Sequence, residues 1–324
     1  MSDPLNKHNR SRRWRRENFA RISRVKRGMI YGTFPLTFLF AASWIITNYL
    51  VRQSDLRAPR DSSTGILLGA EVRDLGNYDS TGAVLFVHGF AGGSNNFSDL
   101  PDRLAKLGWR VRVMRLPGHG TSPFDFEKKS ADELIRAVRN ELIHLKKQYK
   151  EVVIVGHSMG CALSAVAVKD VSVDKLVFGA PFFGIRYKKY YVLPVETWIS
   201  LLNPVLRWIH KGTGNIKVNR TEAKGKIFSY QWFPLKGVKT LVEIGKKAKR
   251  DEILKAIQSP LLCFHSSQDE AASPKAAHEA FQAVASHDKR LIWVNSSNHH
   301  IFWDFDRETV MKETEQFIGI PSFR

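Results

Sequence analysis

Cysteine is almost absent from this chain of 324 residues, which has only Cys161 and Cys263. Two are too few for a disulfide framework and lack the spacing of a metal site, so neither class of scaffold is expected. Both read as small buried hydrophobes. Acidic side chains are scarce as well, 31 against 50 Lys and Arg, for a formal net charge of +19. A basic surface attracts phosphate, in nucleic acid or in lipid headgroups. No recognition motif accompanies the charge, which argues against a nucleic-acid partner. No internal repeat is visible. The hydrophobic share of 43% is ordinary, so a full core is possible, and the length suits one large α/β domain or two small ones.

Charge is missing altogether between Gly28 and Val51, a run rich in Ile, Leu, Phe, Trp and Tyr. Roughly 20 apolar residues span the hydrocarbon core of a bilayer, so residues 29–51 are expected to form a transmembrane anchor. Tyr31 and Tyr49 suit the interfacial belts, and Pro35 falls early, where a helix tolerates it. A cleaved signal peptide is the rival, but its apolar stretch is usually about 7–15 residues. The basic arm, residues 1–28, sets ten Lys and Arg against Asp3 and Glu17, whereas only Arg52, Arg57 and Arg60 follow the run closely. The positive-inside rule then gives a single-pass protein with a cytoplasmic N-terminus and an extracytoplasmic, periplasmic catalytic domain. Residues 52–64 are polar and read as a linker.

From residue 65 to 324 the pattern alternates. Short apolar runs at Ala83–Val87, Val111–Met114, Val152–Val155, Leu176–Phe178, Leu261–Phe264 and Leu291–Val294 read as buried strands. Helical patterns lie between them, at Phe97–Leu107, Ala131–Tyr149 and Pro274–Ala285. Such alternation indicates an α/β fold, a mostly parallel central sheet with helices on both faces. Residues 182–250 break the rhythm with many aromatics, among them Tyr187, Tyr190, Tyr191, Trp198, Trp208, Phe228, Tyr230, Trp232 and Phe233. They are expected to form a mostly helical cap inserted over the sheet.

The strongest chemical signal is Gly156-His157-Ser158-Met159-Gly160, set between the run Val152–Val155 and a helix-forming stretch. A serine hydroxyl is a poor nucleophile unless exposed to a base and held close to it. A sharp strand-to-helix turn does this, and Gly156 and Gly160 keep the tight backbone uncrowded. The upstream loop His88-Gly-Phe-Ala-Gly-Gly93 can supply a donor for an oxyanion, with the backbone N–H groups of Phe90 and Met159 as the expected pair. An acid should follow the strand Leu261–Phe264, where Asp269 and its neighbour Glu270 compete. The base should follow Leu291–Val294, where His299 and His300 are adjacent and cannot both point into one site.

These segments, together with Arg115-Leu-Pro-Gly-His-Gly-Thr-Ser-Pro123 and Ser297-Asn-His-His-Ile-Phe-Trp-Asp304, resemble the α/β-hydrolase superfamily, especially bacterial monoacylglycerol lipases and carboxylesterases. The resemblance runs from about Gly65 to the C-terminus. That family shows Ser-Gly-His and a later Asp in its last motif, which brings Ser297, Asn298, His299 and Asp304 into register and implies His299 as base. Asn298 replaces the usual Gly. The implied catalytic set is Ser158, Asp269 and His299, with no metal and no cofactor, under a cap. The implied reaction is cleavage of a carboxylic ester through an acyl-enzyme.

The anchor and the cap aromatics suggest a monoacylglycerol, lysophospholipid or other medium-chain ester as substrate. The basic patch at Lys246, Lys247, Lys249 and Arg250 would face anionic lipid. The alternatives are amide or thioester hydrolysis or acyl transfer on the same fold, and a membrane-tethered binding protein with a retired site.

Overall fold

Strands buried on both faces of a sheet are apolar at nearly every position; all six runs named above fall on strands, and Ala83–Val87, Val152–Val155, Leu176–Phe178 and Leu261–Phe264 are buried throughout. The computed structural model describes residues 38–186, 193, 195–202, 206–212 and 216–321. The chain divides into two units, Met1–Leu50 and Val51–Arg324. The described residues of the first belong to helix α1 (residues 38–57), which continues into the second.

Helix α1 corrects the expected topology. Among the described residues, no helix is long and apolar enough to cross a membrane. The cause is visible in the helix. Its apolar opening, Phe38 to Ile46, runs through Thr47 and Asn48 into Arg52, Gln53, Ser54, Asp55 and Arg57 without a break. Charged turns of that kind do not enter hydrocarbon readily. The single-pass reading, and with it the extracytoplasmic catalytic domain, is therefore overturned. Residues 52–57, expected to open a linker, are helical. The basic arm and residues 29–37 lie outside the described residues.

In the second unit the elements in chain order are β1 (Arg73–Leu75), β2 (Gly82–Val87), α2 (Leu100–Lys106), β3 (Arg110–Val113), α3 (Pro123–Glu127), α4 (Ala131–Gln148), β4 (Glu151–His157), α5 (Met159–Ala167) and β5 (Lys175–Gly179). They continue with α6 (Val195–Leu202), β6 (Trp208–His210), β7 (Trp232–Pro234), α7 (Leu235–Ala248), α8 (Asp251–Leu254), β8 (Leu261–Ser266), α9 (Pro274–Ala283), β9 (Lys289–Val294) and α10 (Arg307–Ile318). The main sheet has the order β1-β3-β2-β4-β5-β8-β9. Every neighbouring pair in it is parallel except β1 with β3.

Alternation along the strands divides the core. Ala83, Leu85, Val87, Val152, Ile154 and Leu176 face one side, where α4 packs Leu134, Val138 and Leu142 against them. Val84, Phe86, Val153, Val155, Val177 and Leu262 face the other, beneath Leu100 and Leu104 of α2 and Val310 and Met311 of α10. The spacing of four along α4 is the helical counterpart of the period of two in the strands. A reciprocal pair of hydrogen bonds between Ser130 and Glu133 starts α4 at the expected place.

The insertion between β5 and β8 is less helical than expected. Among its described residues, α6 and α7 flank a two-stranded antiparallel ribbon, β6 with β7. Residues 216–231 are largely irregular. Besides short-range turns among themselves, their backbone groups bond to Asp304, Asn95 and Ala91 in loops of the main sheet, which removes the need for a helix. Tyr187, Tyr190 and Tyr191 lie outside the described residues, and Lys247 of the basic patch is paired with Asp132 at 2.6 Å and Glu243 at 3.0 Å.

Candidate active site

β4 ends in a turn that α5 leaves at once, and the residue in the turn is Ser158, with φ 53° and ψ −116°. A side chain at positive φ is strained and persists only where its surroundings enforce it. Here the enforcement is steric. A Cβ on Gly160 would lie 1.8 Å from the Val87 carbonyl oxygen, and one on Gly156 would lie 2.8 Å from the Cys161 nitrogen. The Ser158 N–H donates to the Gly179 carbonyl of β5 at 2.9 Å, which fixes the turn from the other side.

The loops after β8 and β9 bring their side chains to the same end of the sheet. His299 Nε2 lies 2.8 Å from Ser158 Oγ, and His299 Nδ1 lies 2.8 Å from Asp269 Oδ2. The other Asp269 oxygen accepts the N–H groups of Ala271 and Ala272 at 2.7 and 2.8 Å. Burial opposes ionisation of Asp269, but the His299 imidazole and these N–H groups outweigh it, and its carboxyl sits below the usual range. With Asp269 ionised, Nδ1 of His299 carries the proton and Nε2 is free to accept one from Ser158.

The two neighbours, Glu270 and His300, point elsewhere. Glu270 turns away to pair with Lys217 at 2.8 Å. His300 packs against His157, ring centroids 5.2 Å apart, and its N–H donates to the Lys217 carbonyl at 3.0 Å. Burial first, then His157 and His299, hold His300 well below its ordinary pKa, so it stays neutral. No hydrogen bond from the backbone N–H of Phe90 or Met159 is found among the described residues; Met159 follows Ser158 directly, and Gly89, next to Phe90, packs so closely on the turn that a Cβ on it would lie 3.1 Å from the Ser158 Cβ. Cys161 and Cys263 are buried free thiols, pushed up by burial.

Three residues of the quoted motifs make supporting bonds that the motifs themselves do not reveal. His157 Nε2–H donates to the His299 carbonyl at 3.1 Å, tying the nucleophile turn to the histidine loop. Burial and the neighbouring His299 push His157 down to about 3, so it remains neutral. His88 accepts the Leu116 N–H at Nε2 (3.1 Å) and donates from Nδ1 to the Gly89 carbonyl (2.9 Å), bracing the loop that carries Phe90. Asp304 is fully buried and accepts four backbone N–H groups, from Asn219, Asn298, Arg220 and Phe305.

A serine, a histidine and a carboxylate in hydrogen-bonded line, carried past the ends of β4, β9 and β8 of a mostly parallel sheet, is an arrangement that many hydrolases share. The sequence profile of the family described as serine aminopeptidase, S33, matches residues 78–306. The chain belongs to this family of α/β-hydrolases. The S33-family chain is 25% identical over 249 residues to a thermostable monoacylglycerol lipase of Bacillus sp. (strain H-257), covering 73% of this chain and 90% of that one. It is 21% identical over 237 residues to a carboxylesterase of Bacillus subtilis (strain 168), covering 73% and 92%. A solved structure from work on LipS and LipT, two metagenome-derived lipolytic enzymes, superposes with a TM-score of 0.69 at 22% identity, over 78% of this chain and 98% of that one. The expectation of an enzyme, a serine hydrolase of the carboxylic-ester type, agrees with the family and with these relatives.

Proposed function

We propose that this S33-family hydrolase cleaves carboxylic esters of the monoacylglycerol type, with Ser158 as nucleophile, His299 as general base and Asp269 as the acid that orients it. The observation that carries the reading is the pair of 2.8 Å contacts running from Ser158 through His299 to Asp269. Ser158 Oγ attacks the acyl carbonyl as Nε2 of His299 takes its proton. The tetrahedral oxyanion is held by the N–H groups of Phe90 and Met159. His299 then protonates the departing alcohol, leaving an acyl group on Ser158. Water, deprotonated by the same nitrogen, releases the acid. Asp269 keeps the proton of the resting imidazole on Nδ1 and stabilises the imidazolium.

An acyl chain is supported as substrate by the apolar surroundings of the Phe90 loop. Phe90 meets Phe126 and Phe233 edge-to-face, with centroids 5.2 and 5.4 Å apart, and Tyr230 and Phe228 join the same cluster. The name of the Bacillus relative, a monoacylglycerol lipase, points the same way.

The family description favours one rival, hydrolysis of an aminoacyl amide. The test is turnover of a monoacylglycerol, a p-nitrophenyl ester series and an aminoacyl p-nitroanilide by the full chain. Ser158→Ala and His299→Ala are expected to remove ester turnover, by a factor on the order of 10⁴ or more, while His300→Ala retains it. Turnover of the anilide with no ester cleavage would replace the ester reading by the amide one.

A further inference from the structure

Residues 216–220 of the insertion form a strap that is bonded to both loops of the His299–Asp269 pair. Lys217 spans them, with its Nζ on Glu270 at 2.8 Å and its carbonyl accepting the His300 N–H at 3.0 Å. Asn219 does more. Its N–H donates to Asp304 at 2.8 Å, its Nδ2 to the Ser296 carbonyl at 2.9 Å and to Gln268 Oε1 at 3.2 Å. Its Oδ1 accepts from Nδ2 of Asn298 at 3.2 Å.

Asn298 stands where the resembling hydrolases carry glycine, and each of its amide atoms is used. Oδ1 accepts the Glu270 N–H at 3.0 Å, beside the acid, and the His299 N–H at 2.9 Å, on the base itself. Nδ2 goes to the strap, and the Asn298 N–H goes to Asp304 at 2.7 Å, the carboxylate that also holds the strap. Two acceptor bonds on Oδ1 and a donor bond from Nδ2 leave a single orientation of this amide consistent with its neighbours. A glycine could make none of the three side-chain bonds.

We propose that the Asn219–Asn298 amide pair is a positioning device, through which the strap of the insertion sets the alignment of His299 and Asp269. It rests on the triad reading above. Neither amide touches the reacting atoms. Their part is to keep the base loop and the acid loop in register, since a general base displaced by even 1 Å loses much of its rate. The strap continues to the other wall of the site. Asn95 donates to the Lys226 carbonyl at 2.8 Å and accepts the Phe228 N–H at 3.0 Å, and the Tyr230 N–H reaches the Ala91 carbonyl at 3.1 Å. The insertion is thus bonded both to the base loop and to the loop of Phe90.

The test uses the full chain, p-nitrophenyl butyrate as a small soluble ester, and the variants Asn219→Ala, Asn298→Gly, the double variant and Ser158→Ala. Each single variant is expected to lower kcat and the rate of fluorophosphonate labelling roughly tenfold, with KM within about twofold. The double variant should be no slower than Asn298→Gly alone, because both changes cut the same link. The acid limb of kcat/KM against pH should move to lower pH, since an imidazole held less firmly by Asp269 is easier to deprotonate. A strap that merely held the insertion together would change KM or the urea midpoint and leave that limb in place.

Asn219→Ala leaves the histidine loop's own sequence intact and keeps the proposal testable should Asn298→Gly not fold. Unchanged kcat and labelling in folded Asn219→Ala, beside inert Ser158→Ala, would overturn the device and leave the triad reading standing. So would multiplicative losses in the double variant. Wild-type turnover by Ser158→Ala would instead remove the triad reading, and the device with it.

Discussion

Asp304 offers the sharpest test of how the site is held together. Its carboxylate is fully buried and makes no ion pair among the described residues. Oδ2 takes the N–H groups of Asn298 and Asn219 at 2.7 and 2.8 Å, and Oδ1 those of Arg220 and Phe305 at 2.9 and 3.0 Å. The change Asp304→Asn keeps the shape and replaces one oxygen by an NH2 group. Whichever way the amide turns, two backbone donors then face a donor in a buried site. A buried polar group left without its partner costs about 1–3 kcal/mol, so two cost about 4 kcal/mol together. That is a large part of the ~5–15 kcal/mol that usually holds a domain folded. Urea unfolding followed by tryptophan fluorescence should show the midpoint falling with the slope m unchanged. A loss below about 1 kcal/mol would mean that the four N–H bonds are not what offsets the burial of this side chain.

Two further outcomes follow from packing and from burial. Gly160→Ala would set a Cβ 1.8 Å from the backbone carbonyl oxygen of Val87, which cannot swing aside as a flexible side chain could, and should destabilise the fold by about 3 kcal/mol and abolish fluorophosphonate labelling; a folded, labelling variant would refute the steric account of the turn. His265 is buried with its Nε2 3.7 Å from Asp269 Oδ2, and burial outweighs that carboxylate and pushes it from 6.5 down to about 4. Between about pH 6.5 and 4 the unfolded chain therefore binds a proton at this residue that the native one does not, so stability falls on acidification through that window and levels off below it. His265→Leu should flatten the fall by on the order of 3 kcal/mol, measured as urea midpoints from pH 7 to pH 4, and an unchanged slope would show that His265 charges in the native state.

The parts of the fold that were legible in the sequence are those where one local constraint admits one solution. Ala83–Val87 and Val152–Val155 read as strands because a sheet covered on both faces leaves no polar position. The turn at Ser158 read correctly because Gly160 has to clear a carbonyl and no other residue can. The short antiparallel β1 was missed, since an edge strand of three residues, Arg73–Leu75, half exposed and carrying Arg and Asp, leaves no such pattern. The apolar run to Val51 misled because hydropathy within it does not reveal where the helix containing it ends, and α1 carries on into Arg52, Asp55 and Arg57.

At the site, sequence by itself determined which residue types would meet and in what order, because a serine, a carboxylate and a histidine are tied to the ends of recognisable strands. It did not decide between Asp269 and Glu270, or, without a family resemblance, between His299 and His300. Adjacent side chains in a loop differ only in the direction they point, and that direction is set by partners distant in the chain. Glu270 is drawn off by Lys217, and His300 is held by the Lys217 carbonyl and the ring of His157. The insertion gave up helical structure for the same reason. Its backbone groups found acceptors and donors on Asp304, Asn95 and Ala91, more than 70 residues away in the chain, and only the tertiary structure brings those within reach.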